Sequence, residues 1–196
     1  MKTIELAKNR RSRYQLTNEI PLTDQQVLSL VREAVKYAPS AFNSQSTRVL
    51  VLFREQHRQF WNLTQQELQK IVPPDKFSPT KEKLTSFAAG YGTLLFFEEW
   101  KTVETLQAQF PTYKDNFPIW AYQANAMAEY IVWTSFAEAG IGASLQHYNP
   151  LVDEVTKKTF ALPASWKLIA QMPFGTAQGE PAEKSFLSLQ ERVVEK

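Results

Sequence analysis

The stretch "IWAYQANAMAEYIVWTSFAEAG", residues 119 to 140, constrains this chain more than any other. Alanines, aromatics and aliphatics occupy most of its circumference at helical spacing, so the segment offers water no continuous polar face. Such a helix belongs at the centre of a fold or in a subunit interface. Gly140 is its expected stop, because glycine readily takes the left-handed backbone that closes a helix. The other elements must be arranged around it.

Several of those elements can be placed. In "PLTDQQVLSLVREAVKYAPS", Thr23 and Gln26 form a capping box, and Val27, Leu28, Val31, Ala34, Val35 and Ala38 make one apolar stripe that Pro39 ends. "TRVLVLF" (47–53), "GTLLFFEE" (from Gly92) and "WKLIAQMPFG" (166–175) have the length and β-rich composition of buried strands. A helix is expected over Gln56–Ile71 and a polar one over Glu98–Gln109. "VPPDKFSPTKEK", with three prolines, and "FPTYKDNFP" read as surface loops. No repeat or linker interrupts the chain, so one domain is expected over residues 1–196, with a mixed sheet under packed helices.

Composition removes whole classes of function. A net charge of +2 is too small for a nucleic-acid face. The absence of cysteine excludes thiolate nucleophiles, disulfides and cysteine metal sites, and two histidines, His57 and His147, make no metal centre. No apolar run reaches the length of a signal sequence or a membrane span, so no membrane partner and a cytoplasmic location are expected. His57, in the polar "REQHRQFW", reads as a solvated histidine. The neighbouring carboxylates Glu98–Glu99 and Asp153–Glu154 read as solvated surface, because adjacent helical residues do not face each other. No GxSxG, GxGxxG or GxxxxGK[ST] occurs, and the six glycines in three close pairs fit either turns or close approach to a ligand. With no side-chain catalyst in evidence, an organic cofactor is the expected carrier of any chemistry.

Three stretches bear on that cofactor. "AKNRRSRYQL" sets Arg10, Arg11 and Arg13 around Ser12. Such a cluster is either a solvated basic patch or a grip on an anion such as a terminal phosphate. "YAPSAFNSQSTRVLVLF" places Ser40, Asn43, Ser44 and Gln45 between a helix end and a buried strand, where amides can meet the polar edge of a heterocycle. "GIGASLQHYNP" combines Gly140 and Gly142 with Gln146, His147 and Tyr148.

In this order the three stretches resemble the FMN-dependent nitroreductase family. Its Arg-Arg-Ser phosphate clamp is matched by Arg10, Arg11 and Ser12. Its "APS…N.Q" loop is matched by Ala38, Pro39, Ser40, Asn43 and Gln45, with Ala41 between them, and its central helix with a Gly-x-Gly end by Gly140 and Gly142. Lys184 in "EKSF" matches the tail lysine. "FAAGYGTLLFFEE" and "LQHYNP" look like the short fatty-acid-repression-type subgroup. Larger relatives carry a basic residue two positions after the serine; here Tyr14 stands there, and Arg13 one place earlier.

The resemblance implies an α+β fold, a mixed sheet flanked by helices, and an intertwined homodimer binding FMN at its interface. It implies that Arg10, Arg11, Ser12 and Lys184 hold the phosphate. Pro39, Ser40, Ala41, Asn43 and Gln45 of the opposite chain would meet the flavin ring, with Gln146 and His147 nearby. NADH or NADPH would reduce the flavin, which would then reduce nitroaromatics or quinones by ping-pong kinetics, in a stress response. No side chain need be catalytic and no metal is required. The competing expectation is a flavin-binding sensor with little turnover.

Overall fold

The computed structural model describes residues 1–196. Its sheet is built on β5 (Trp166–Ala177) and β3 (Gly92–Glu99), with β2 (Thr47–Phe53) on the outer side of β3. Two short strands, β1 (Leu16–Thr17) and β4 (Gly142–Ala143), both pair with β5. Every pairing between these strands is antiparallel. The mixed character expected from the sequence is confined to one parallel bridge, Ser12 with Ala143. The α+β class stands.

Seven helices flank the sheet: α1 (Lys2–Asn9), α2 (Asp24–Tyr37), α3 (Arg54–Gln69), α4 (Phe77–Ala88), α5 (Trp100–Gln109), α6 (Phe117–Glu138) and α7 (Asp153–Thr159). Helix α2 starts as its sequence dictates. The Gln26 amide N–H donates to Thr23 Oγ1 (3.3 Å), and the Thr23 N–H donates to Gln26 Oε1 (2.8 Å). Helix α4 replaces the loop expected at "VPPDKFSPTKEK". Pro74 and Pro79 both fall within first turns, where a missing N–H costs nothing.

Because side chains alternate along β3, the sheet buries two separate cores. Leu94 and Phe96 face α2 and α6, packing with Val27, Val31, Val132 and Phe136. Leu95 and Phe97 face the other way, with Phe60 and Trp61 of α3 and Leu84 and Phe87 of α4. Helix α6 is therefore central, as its composition requires. Gly140 follows it at φ +75°, the left-handed stop. At Gly142 a Cβ would lie 2.6 Å from the Ala177 Cβ, so this glycine admits the neighbouring strand rather than a ligand. No helix is long and apolar enough to cross a membrane.

Candidate functional site

The segment after α1 runs beside β4. The Ala143 carbonyl accepts from the Arg13 backbone N–H (2.9 Å) and from Trp133 Nε1 (3.2 Å), which fixes residues 10 to 13 against α6. Arg10 consequently lies over Trp133, its guanidinium carbon 4.0 Å from the ring centroid. There its Nε and Nη1 are buried and have no hydrogen-bond partner. A buried guanidinium N–H without an acceptor costs several kcal/mol, so this arrangement asks for an anion.

A cavity of about 480 Å³ opens at this point. One wall comes from Arg10, Arg11, Ser12 and Arg13, the other from residues 178–184, and Lys184 is part of its lining. The structure thus gathers in one place the four residues expected to hold a phosphate, although their contacts differ. Arg11 Nη2 donates to the Ala182 carbonyl and Arg13 Nη2 to the Gly179 carbonyl, whereas Arg10 is left free. Lys184 Nζ lies 5.1 Å from the Phe186 ring centroid, on the exposed tail.

The loop residues form a second group. Pro39, Ser40 and Gln45 line a cavity of about 600 Å³ with Val31 and Val35 of α2 and Val49 and Val51 of β2. The two cavities share no residue. Ala41 begins a short 3₁₀ turn ending at Asn43. Within this loop Phe42, Asn43 and Gln45 all have positive φ, at 55°, 50° and 48°. Asparagine tolerates that region, but phenylalanine and glutamine pay about 1 kcal/mol each. The loop is held by the Gln45 N–H donating to Ser40 Oγ (3.1 Å) and by Phe42, whose ring centroid lies 4.8 Å from that of Phe110. Such over-determined strain is characteristic of recognition loops. Asn43 faces a different, shallow depression beside Glu99 and Lys101.

Gln146 and His147 join neither cavity. Gln146 is buried, pairs by backbone with Gln171, and donates from Nε2 to Ser144 Oγ (3.1 Å). His147 is exposed. Sequence reasoning missed Arg32, Lys36 and Arg48, which line the second cavity. The i, i+4 spacing of Arg32 and Lys36, alongside the apolar stripe of α2, was the available signal. It also missed the burial of His57, Glu98, Asn125 and Glu129.

His57 is not solvated. Its Nε2 donates to the Ala88 carbonyl (3.2 Å), so Nδ1 accepts from Thr93 Oγ1 (2.8 Å), which in turn accepts from Trp61 Nε1 (2.9 Å). Burial pushes its pKa down to about 4. Glu98 and Glu99 sit at the end of β3 rather than on a helix, so they point to opposite faces, and Glu98 is fully buried. Glu98 Oε1 accepts from Thr47 Oγ1 and Asn125 Nδ2, both at 2.8 Å. Burial first, and the charge of Glu98 second, push the Glu129 carboxyl up to about 7. Asp153 is half-buried, and that burial raises its pKa, while Glu154 stays exposed and pairs with Lys157 at 2.6 Å.

A model of the Nitroreductase family matches residues 7–176. Nitroreductase FRM2 of Saccharomyces cerevisiae is 30% identical over 184 residues, covering 92% of this chain and 90% of that protein. HBN1 of the same yeast is 33% identical over 182 residues, covering 91% of this chain and 89% of its own length. Nitroreductase CinD from Lactococcus lactis, solved in complex with chloramphenicol, superimposes with a TM-score of 0.91 at 38% identity over 99% of both chains. CinD has also been solved with 4-nitrophenol. A nitroreductase with bound FMN from Desulfitobacterium hafniense shares the fold, with a TM-score of 0.73 at 16% identity, over 100% of this chain and 98% of that one.

Proposed function

Because the chain belongs to the nitroreductase family and is an oxidoreductase, we propose that it uses FMN to pass electrons from NADH or NADPH to nitroaromatics or quinones. One observation carries the cofactor: the buried, unpartnered Nε and Nη1 of Arg10 at a cavity shared with Ser12 and Lys184. A ribityl phosphate supplies the acceptors these donors lack, through charge-assisted hydrogen bonds. Bound FMN would supply the redox chemistry, accepting a hydride from the nicotinamide and releasing its electrons to the acceptor.

The chain's own residues bind and orient. Arg10 and Ser12 grip the phosphate, and Trp133 backs the guanidinium. The Pro39–Gln45 loop meets the ring of the flavin held by a second copy of the chain. That division is consistent with two cavities that share no residue, and with the exposed apolar residues Ile119, Met127 and Tyr130 on α6. The acceptor class follows CinD, a relative with 4-nitrophenol bound. No residue here is assigned proton transfer.

Steady-state assays with NADH or NADPH against a nitroaromatic and a quinone test this reading. Parallel double-reciprocal lines are expected from a purified protein that shows a flavin absorption spectrum. A protein that retains no flavin and turns over neither acceptor contradicts it.

A further inference from the structure

Two of the three opening arginines bond backbone carbonyls of the segment that forms the cavity's opposite wall. Strand β5 ends at Ala177 opposite Leu16, and the Gln178 N–H continues the pairing by donating to the Gln15 carbonyl at 3.0 Å. Gly179 then turns the chain at φ +65°, and a Cβ there would meet nothing within 4 Å. This glycine is present for its backbone angle, not for space. Just past the turn, Arg13 Nη2 donates to the Gly179 carbonyl and reaches the Gln178 carbonyl at 3.4 Å. Arg11 Nη2 takes the Ala182 carbonyl, two residues before Lys184 in the same wall.

A single guanidinium nitrogen serves both carbonyls, and the planar group behind it fixes their direction more firmly than a freely rotating ammonium does. We propose that Arg13 is a positioning residue: it pins residues 178–179 so that the tail lies as a strap across the anion cavity and carries Lys184 to it. Arg10 and Ser12 are thereby the direct anion ligands, and Arg13 acts on the anion only through the tail. This assignment rests on the FMN reading for the identity of the anion, but not for the strap itself. It also gives the residue beside Tyr14 a task other than replacing a missing phosphate ligand. A strap of this kind slows ligand escape more than it speeds entry, so its loss should be read in the dissociation rate.

The test uses the full-length chain and two readouts. In the apoprotein, hydrogen exchange at the Gln178 amide, which donates to the Gln15 carbonyl, is expected to quicken in Arg13→Met, with the helices and the central strands unchanged. In the FMN complex, Arg13→Met and Lys184→Met are each expected to raise the dissociation rate roughly tenfold, and the double variant to be no faster than the faster single one. Arg13→Lys keeps the charge without the planar guanidinium and is expected to lie between wild type and Arg13→Met in both readouts. Unchanged exchange at the Gln178 amide in Arg13→Met overturns the strap whatever the anion is. Losses that multiply in the double variant make Arg13 a direct ligand and overturn it as well. A wild-type protein that binds no FMN instead removes the reading of the cofactor, and the exchange experiment still decides the strap.

Discussion

The two faces of the sheet differ in whether the chain completes its own bonding. On the face under α3 and α4, the polar groups among the core aromatics form a closed chain: Trp61 donates to Thr93, Thr93 to His57, and His57 to Ala88, and only at the margin, on α7, are Asp153 Oδ1 and Thr156 Oγ1 left without a partner. On the face under α6 and α2, Glu98, Asn125 and Glu129 are equally buried, yet Glu98 Oε2, Asn125 Oδ1 and Glu129 Oε1 have no partner. All three are acceptors. The same side carries the larger cavity, the strained Phe42–Gln45 loop and the unsatisfied Arg10 over Trp133. At its aromatic centre one face is finished within the chain; the other leaves acceptors open at Glu98, Asn125 and Glu129.

The largest expected effect comes from breaking the finished face. Thr93→Val keeps the shape but strands His57 Nδ1 and Trp61 Nε1 in the core, and should cost roughly 3 kcal/mol in urea unfolding. A cost below about 0.5 kcal/mol would mean that the chain of bonds is incidental.

The open face should respond in the opposite sense. Glu129 has a folded pKa of about 7 against 4.5 in the unfolded chain, so the folded state holds its proton more tightly. Stability from this group is therefore full below pH 4.5 and is lost as pH rises through 7. Glu129→Gln removes the charge and brings N–H donors to a cluster whose unpartnered atoms are acceptors, and should stabilise the protein by about 2 kcal/mol at pH 8, with little change at pH 4. His57 runs the other way. Its folded pKa of about 4 lies below the unfolded 6.5, so its stability is full above pH 6.5 and is lost as pH falls through 4. Between pH 4.5 and 6.5 the two slopes oppose each other, and the wild-type stability curve should be flat there. In Glu129→Gln that interval should slope upward with pH, which denaturant melts across the range would reveal.

The smallest effect is local. Thr23→Ala removes the cap of α2 and should lower stability by about 1 kcal/mol, without altering the pH slopes. A change in those slopes would couple α2 to the acid cluster.

Much of the scaffold was legible because its signals are local. The Thr23–Gln26 box, the TRVLVLF strand and the Gly140 stop each depend on neighbours within one turn or one strand. The arginine cluster was legible only as a solvated basic patch or an anion grip; what the fold adds is that Arg10 Nε and Nη1 are buried without partners. What stayed hidden depends on the fold. His57 looks polar by its neighbours, but His57, Phe60, Trp61 and Thr64 form one buried stripe of α3. Glu98 was judged by helical geometry although it ends a strand, where its pleat position sends it inward and Glu99 outward. The two-residue strands β1 and β4 are too short to show any period, yet β1 joins β5 to the start of the tail. The split between Arg10 and Arg13 could not be read from three arginines within four residues, since it depends on where residue 179 returns.

The central claim, a flavin phosphate at Arg10, is tested most directly by titrating the apoprotein with FMN and with riboflavin, which differ only in that group. The wild-type protein should prefer FMN by roughly a hundredfold, and Arg10→Ala should lose most of this preference by weakening FMN alone. Equal affinity of the wild-type protein for the two flavins would contradict the account.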